Sequence, residues 1–216
     1  MFSLFRFQLN IGLLERPLAI GLVWGLLFGD LATAISISLF FELFWMDLIP
    51  AGTFIPPQMA ASTLAALTLV EVYHFTAPPL AVLAIIACLP LAWLGTRIEA
   101  MERERQNKSY NELLRSSRGG MDAFSPGGLV RKGFVRMAVI NWLFFLVSSI
   151  TLVWIAGLVF PFLQRYVVLL PVKWWHVWFG ASLGGLLSIR FRPGYILLAV
   201  AAAATAFAAY LANLGT

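Results

Sequence analysis

The stretch from Glu15 to Ala61, ERPLAIGLVWGLLFGDLATAISISLFFELFWMDLIPAGTFIPPQMAA, sets Asp30, Glu42 and Asp47, with several Gly and Pro, inside highly apolar sequence. A carboxylate in hydrocarbon is costly, so these acids are expected to face a protein interior or a cavity. The segments around them are apolar all round, whereas a helix of a soluble domain keeps one polar face. That pattern belongs to helices solvated by lipid.

Working outward, the whole chain has the same character. Of its 216 residues, 61% are hydrophobic and only 12% charged, and the mean hydropathy is +0.87. These values exclude an ordinary soluble domain and predict an all-α, polytopic transmembrane helical bundle. The net charge of +5 does not indicate a nucleic-acid partner, because the basic residues cluster in one polar segment between two hydrophobic blocks. Cys88 is the single cysteine; it allows no intrachain disulfide and is expected in the core. Met1 to Arg16 is short, amphipathic and interrupted by Arg6, so a cleavable signal peptide is not expected.

The layout divides into residues 1–96, 97–136 and 137–216. The middle segment carries Arg97, Arg103, Arg105, Lys108, Arg115, Arg118, Arg131, Lys132 and Arg136 against Glu99, Glu102, Glu104, Glu112 and Asp122. The positive-inside rule makes it a cytoplasmic connector. Glu99 with Arg103 and Glu104 with Lys108 stand one helical turn apart, so its first part reads as a solvated helix or a docking surface, ended at Gly119 and Gly120. Two hydrophobic blocks about a polar centre are compatible with two inverted halves.

The apolar pieces of the first block are shorter than the ~20 residues a spanning helix requires. Leu18 to Phe28 stops at Gly29 and Asp30, Leu31 to Met46 closes on Asp47, and the next piece begins beyond Pro50, Gly52, Pro56 and Pro57. Broken or re-entrant helices are therefore expected, and polar sites form at such breaks because freed backbone groups must line a cavity or be buried. Ala60 to Val72, Pro78 to Leu94, Val135 to Leu163, Trp174 to Ile189 and Gly194 to Leu214 follow, for roughly seven to nine helices in all. Arg190 and Arg192 suit a cytoplasmic turn. Gly21, Gly25 and Gly29 fall on one helix face and invite close packing. Gly180 and Gly184 repeat the spacing and read as their counterpart. Trp174, Trp175, His176 and Trp178 read as interfacial anchors, as do Glu71 and His74.

Arg16-Pro17, Gly29-Asp30, Glu42 with Trp45-Met46-Asp47, and Pro56-Pro57 ahead of an apolar helix follow one another in an order and spacing that resemble a known signature. It is that of enzyme IIC, the membrane subunit of the mannose, fructose and sorbose family of the sugar phosphotransferase system. The later run FGASLGGLLSIRFRPGYILL is similar to that family's C-terminal region. The resemblance implies a sugar-translocating, multi-pass subunit of the bacterial inner membrane, in a hetero-oligomer with an enzyme IID subunit. It also implies cytoplasmic enzymes IIA and IIB, which carry the phosphohistidines. The chain departs from many members at Asp47, where they have Asn, and at LIPAGTFI, where their link is shorter and richer in glycine. They often carry an acidic or amide residue at the position of Gln58.

A sugar is a ring of hydroxyls that donate and accept, so carboxylates, amides and an aromatic face suit it. Glu42, Trp45, Asp47, Thr53 and Gln58 are the expected substrate contacts, with Phe54 a second aromatic face. Two of the acids have a plainer alternative: Asp30 a helix cap, Glu42 a contact to Arg16 or to a partner subunit. No nucleophile with a base, metal-ligand spacing or phosphate loop is present, and neither His74 nor His176 sits in a phosphocarrier pattern. Catalysis and a cofactor are not expected of this chain. Two other classes remain open, an autonomous proton- or cation-coupled permease and a non-transporting membrane scaffold or sensor.

Overall fold

A computed structural model describes residues 15–46, 48, 55–117, 126–188 and 196, with only the backbone at 112–117, 126–130 and 132. Asp47, Thr53, Phe54, the Gly119-Gly120 stop, Arg190, Arg192 and, apart from Ile196, the Gly194 to Leu214 segment lie outside the described residues. The described residues form helices α1 (Pro17–Phe28), α2 (Leu31–Phe44), α3 (Met59–Tyr73), α4 (Pro78–Ser117), α5 (Pro126–Val167) and α6 (Trp174–Ser188), and no strand. The chain is an all-helical membrane protein.

The local sequence explains where the helices begin and end. Pro17 starts α1, where a missing N–H costs nothing. Gly29 ends it with φ +87° and donates its N–H to the Gly25 carbonyl at 2.9 Å, a left-handed cap that glycine adopts without strain. Asp30 then caps α2, its Oδ1 accepting from the Thr33 N–H at 3.1 Å, so the plainer reading of Asp30 holds. His74 closes α3 in the left-handed region at φ 53°. The α6 start is tied by its third residue: His176 Nδ1 accepts from the Lys173 N–H at 3.0 Å, one half of a capping box.

α1 and α2 lie antiparallel, folded back at Gly29 and Asp30. At 1.5 Å per residue they are about 18 and 21 Å long, against a hydrocarbon core of about 30 Å. Glycine lets their backbones meet: a Cβ on Gly25 would stand 2.7 Å from Leu31 Cα and 3.2 Å from Ala34 Cβ, and one on Gly21 would stand 2.8 Å from the Ala34 carbonyl oxygen. In lipid no hydrophobic term draws helices together, so this close packing itself supplies the attraction.

α3 packs on α1, α2, α4 and α5, and α6 packs on α2. The common core gathers Ile37, Phe41, Leu67, Leu69, Ile85 and Cys88, each buried. Tyr73 ties α3 to α5 through a 2.7 Å hydrogen bond from its hydroxyl to the Val153 carbonyl. Outward, α5 presents Trp142, Ile150, Trp154, Leu158 and Phe162 on an exposed apolar surface, which suits lipid and not water. The α4 and α5 segments Pro78–Asn111 and Gly133–Val167 are long and apolar enough to cross a membrane.

One local expectation changes. Of the α6 glycines, Gly184 and the unremarked Gly185 make the close approach, to Phe44 and to the Leu43 carbonyl, while Gly180 has open space beside it. Trp178 is tied to α2, its Nε1–H donating to the Ser36 carbonyl at 3.1 Å. The start of the polar connector continues α4. Arg103 pairs with Glu99 at 2.7 Å and Lys108 with Glu104 at 2.9 Å, as the spacing predicts. Glu99 and Glu102 are nonetheless buried, because this part of α4 lies against α5, where Arg136 reaches Glu102 at 3.4 Å.

Candidate functional site

Glu42, Trp45 and Gln58 flank the α2–α3 connection along the chain, and the structure gives each different surroundings. Glu42 sits near the end of α2, where the antiparallel fold brings it to the start of α1. Its Oε1 pairs with Arg16 Nη1 at 2.9 Å, and its Oε2 accepts from the Leu18 N–H at 3.4 Å. A carboxylate at a helix N-terminus meets the positive end of the dipole and an N–H with no partner inside its helix. The contact to Arg16 weighed from the sequence is therefore made.

Trp45 is buried, stacked on Phe41 with centroids 5.5 Å apart and set edge-on to Phe44 at 5.4 Å. It closes α2 within the aromatic core, its ring covered by protein. Asp47 and Thr53 lie outside the described residues, so their relation to Glu42 and Trp45 does not enter the geometry.

Gln58 is buried in a polar setting. Its N–H donates to the Ala92 carbonyl of α4 at 3.2 Å, and its Nε2 donates to Asn141 Oδ1 of α5 at 3.3 Å. Pro56 and Pro57 supply no N–H of their own, and the elbow is held to α4 also by Thr96, whose hydroxyl meets the Pro56 carbonyl at 3.4 Å and the Ala92 carbonyl at 2.9 Å. Gly95 opens the space, since a Cβ there would run into the Gln58 side chain, its Cβ included at 2.9 Å. The elbow, α4 and α5 thus meet at a buried node of amides and one hydroxyl. Such groups exchange hydrogen bonds with neutral polar molecules and move no proton or electron.

Asn141, Gly95 and Thr96 are the members of this node that the sequence did not single out. A signal existed for Asn141, an amide inside the apolar run MAVINWLFFLV, because an amide at membrane depth must find a partner across helices. Nothing in sequence links position 58 to position 141. A separate cavity of about 170 Å³ lies between α4 and α5, lined by Leu83, Ile86, Leu152, Ile155, Val159 and Leu163. Its apolar walls offer a polyhydroxyl molecule no hydrogen bonds. No group of His, Cys, Asp and Glu able to hold a metal ion occurs among the described residues.

A family model described as the sorbose-specific IIC component of the phosphotransferase system matches residues 1–113. The match takes in α1, α2, the elbow, α3 and most of α4. No curated protein and no solved structure matches the chain.

Proposed function

The chain belongs to the family of sorbose-specific IIC components of the sugar phosphotransferase system, and from that membership we propose that it is the sugar-translocating subunit of a mannose-type system in the bacterial inner membrane. It acts with an enzyme IID subunit, and phosphate reaches the incoming sugar from cytoplasmic IIA and IIB proteins. The family's role is sugar transport; the type of system, the partners and the membrane are our inference. The basic segment of residues 97–136 faces the cytoplasm by its charge.

The observation that carries the reading is the buried amide of Gln58 at a proline elbow, next to two helices too short to span. An elbow of this kind lets non-helical backbone exist at membrane depth where it lines a cavity or is buried in protein. Glu42, Asp47 and Thr53 complete the proposed substrate contacts on the sequence argument, whereas the Trp45 ring is taken up by Phe41 and Phe44. Gln58 has the strongest support among them, since Glu42 is engaged by Arg16 and by α1.

The test is uptake of labelled hexoses, amino sugars and sorbose into cells that co-express the chain with its IID, IIA and IIB proteins. Wild type is compared with Gln58→Ala and Glu42→Gln at equal membrane insertion. Uptake that needs the partners and collapses in the variants is the expected result. Uptake that persists without the phosphotransfer proteins replaces the proposal with an autonomous carrier. No uptake under any combination, despite assembly, replaces it with a scaffold or sensor.

A further inference from the structure

Several buried polar side chains among the described residues lie beyond the expected contacts. Glu102, paired with Arg105 at 2.9 Å and Arg136 at 3.4 Å, joins the polar ends of α4 and α5 and is satisfied there. Ser38 is explained by its seat against Gly21. Asn141 and Ser62 are different, because each is a polar side chain buried beside Gln58 in sequence or in space, and packing alone does not require either.

We propose that Asn141 and Ser62 form, with Gln58, a subsite for the hydroxyls of a neutral sugar, in which the sugar displaces the hydrogen bond between the two amides. The proposal rests on the translocation reading above. Ser62 follows Gln58 by one helical turn, its N–H donating to the Gln58 carbonyl at 3.4 Å. Its hydroxyl is fully buried and has no hydrogen-bond partner among the described residues. Ser36, Thr63, Thr68 and Ser182 each donate to the carbonyl four residues back, at 2.7 to 3.0 Å; the hydroxyls of Ser38 and Ser149 lack a partner as that of Ser62 does, but of the three only Ser62 stands one helical turn from Gln58. A buried polar group left without a partner calls for an explanation, and a ligand hydroxyl supplies one. The hydrogen bond between the Gln58 and Asn141 side-chain amides is at the long end of the range, 3.3 Å.

The chemistry matches a hydroxyl pair. An amide donates through nitrogen and accepts through oxygen, and a hydroxyl does both, so two sugar hydroxyls inserted between Gln58 and Asn141 leave every group bonded. None of the three side chains is charged, so the subsite selects neutral hydroxyls over carboxylate or ammonium groups. Gly95 gives the Gln58 side chain room beside α4.

The experiment uses the whole complex in cells, measuring uptake of the labelled parent sugar against competition by each of its monodeoxy analogues. Wild type is expected to reject at least one analogue by about tenfold or more, as sites built to bind a hydroxyl do. Asn141→Ala should weaken the parent sugar by about tenfold and abolish that rejection; Ser62→Ala should do so for an analogue of its own. Asn141→Ser, which keeps a donor and an acceptor, serves if the alanine variant does not assemble, and should shift the preference. A purely structural amide predicts fewer assembled complexes with the deoxy preference unchanged, and that result overturns the subsite. So does a wild type that distinguishes none of the analogues. Selectivity lost only in the Asn141 variants removes Ser62 from the subsite. If the wild-type complex takes up no sugar, the translocation reading falls and the subsite falls with it, whereas uptake with unchanged preference sinks the subsite alone.

Discussion

Replacing Gly21 by alanine tests the closure of the α1 and α2 pair directly. The new Cβ would meet the Ser38 side chain, its Cβ at 2.6 Å, and the Ala34 carbonyl oxygen at 2.8 Å. Ser38 can turn its hydroxyl away, but its Cβ and the Ala34 carbonyl belong to the α2 frame, so the two helices must separate. Overpacking of this kind costs about 1–3 kcal/mol. With two rigid neighbours the upper end applies, offset by about 1 kcal/mol gained when alanine replaces glycine within a helix. The net loss is about 2 kcal/mol, roughly a 30-fold shift toward the unfolded state. Gly133 and Gly180 supply the controls: neither Cβ would meet an atom within 4 Å, so alanine there should gain the helix term alone. The assay is thermal denaturation of the purified protein in detergent, with Gly133→Ala and Gly180→Ala expected at or above wild type and Gly21→Ala below it. Adding Ser38→Gly to Gly21→Ala should recover part of the loss, because Ala34 remains. A Gly21→Ala protein that melts at or above wild type refutes the packing argument.

Further outcomes follow from the caps, the ion pair and one hydroxyl. Asp30→Ala should lose about 1 kcal/mol of stability by removing the α2 cap, while Asp30→Asn should keep both stability and uptake; loss of uptake in the asparagine variant would show that the charge itself is used. Gly29→Ala should cost about 1 kcal/mol through its left-handed φ although it touches nothing, measurable in the same melts. Exchanging the charges, Arg16→Glu with Glu42→Arg, should not restore the wild-type melting temperature, since an arginine at 42 would face the positive end of α1 and could not accept from Leu18. Full restoration would reduce that contact to a simple pair of charges. Tyr73→Phe should lose about 1 kcal/mol with the bond to Val153, again by melting.

The membrane class, the brief α1 and α2 and the elbow after them are all visible along the chain because their causes are local. Apolar composition fixes the solvent, Pro17 and Gly29 fix the ends of α1, and Asp30 stands directly before an apolar run as a cap does. Charges four residues apart pair as spaced, since a helix turn alone brings Glu99 to Arg103. Glycine spacing foretold close packing at Gly21 and Gly25, but it misdirected attention to Gly29 and Gly180, where a Cβ would meet no atom within 4 Å, because spacing says which residues share a face and not which face meets a neighbour.

The sequence by itself determined that lipid surrounds this protein and that polar groups must be sheltered near residues 42 to 58. Only the tertiary structure decided which partners shelter them. Glu42 meets Arg16 and the start of α1 across 26 positions, and Gln58 meets Asn141 across 83. Hydropathy is a sum over neighbours in the chain, whereas an amide in hydrocarbon is satisfied by whatever the packing of separate helices brings within about 3 Å. Trp45 makes the same point in reverse: its residue type suits a sugar face, and its burial against Phe41 is set by how the helices pack.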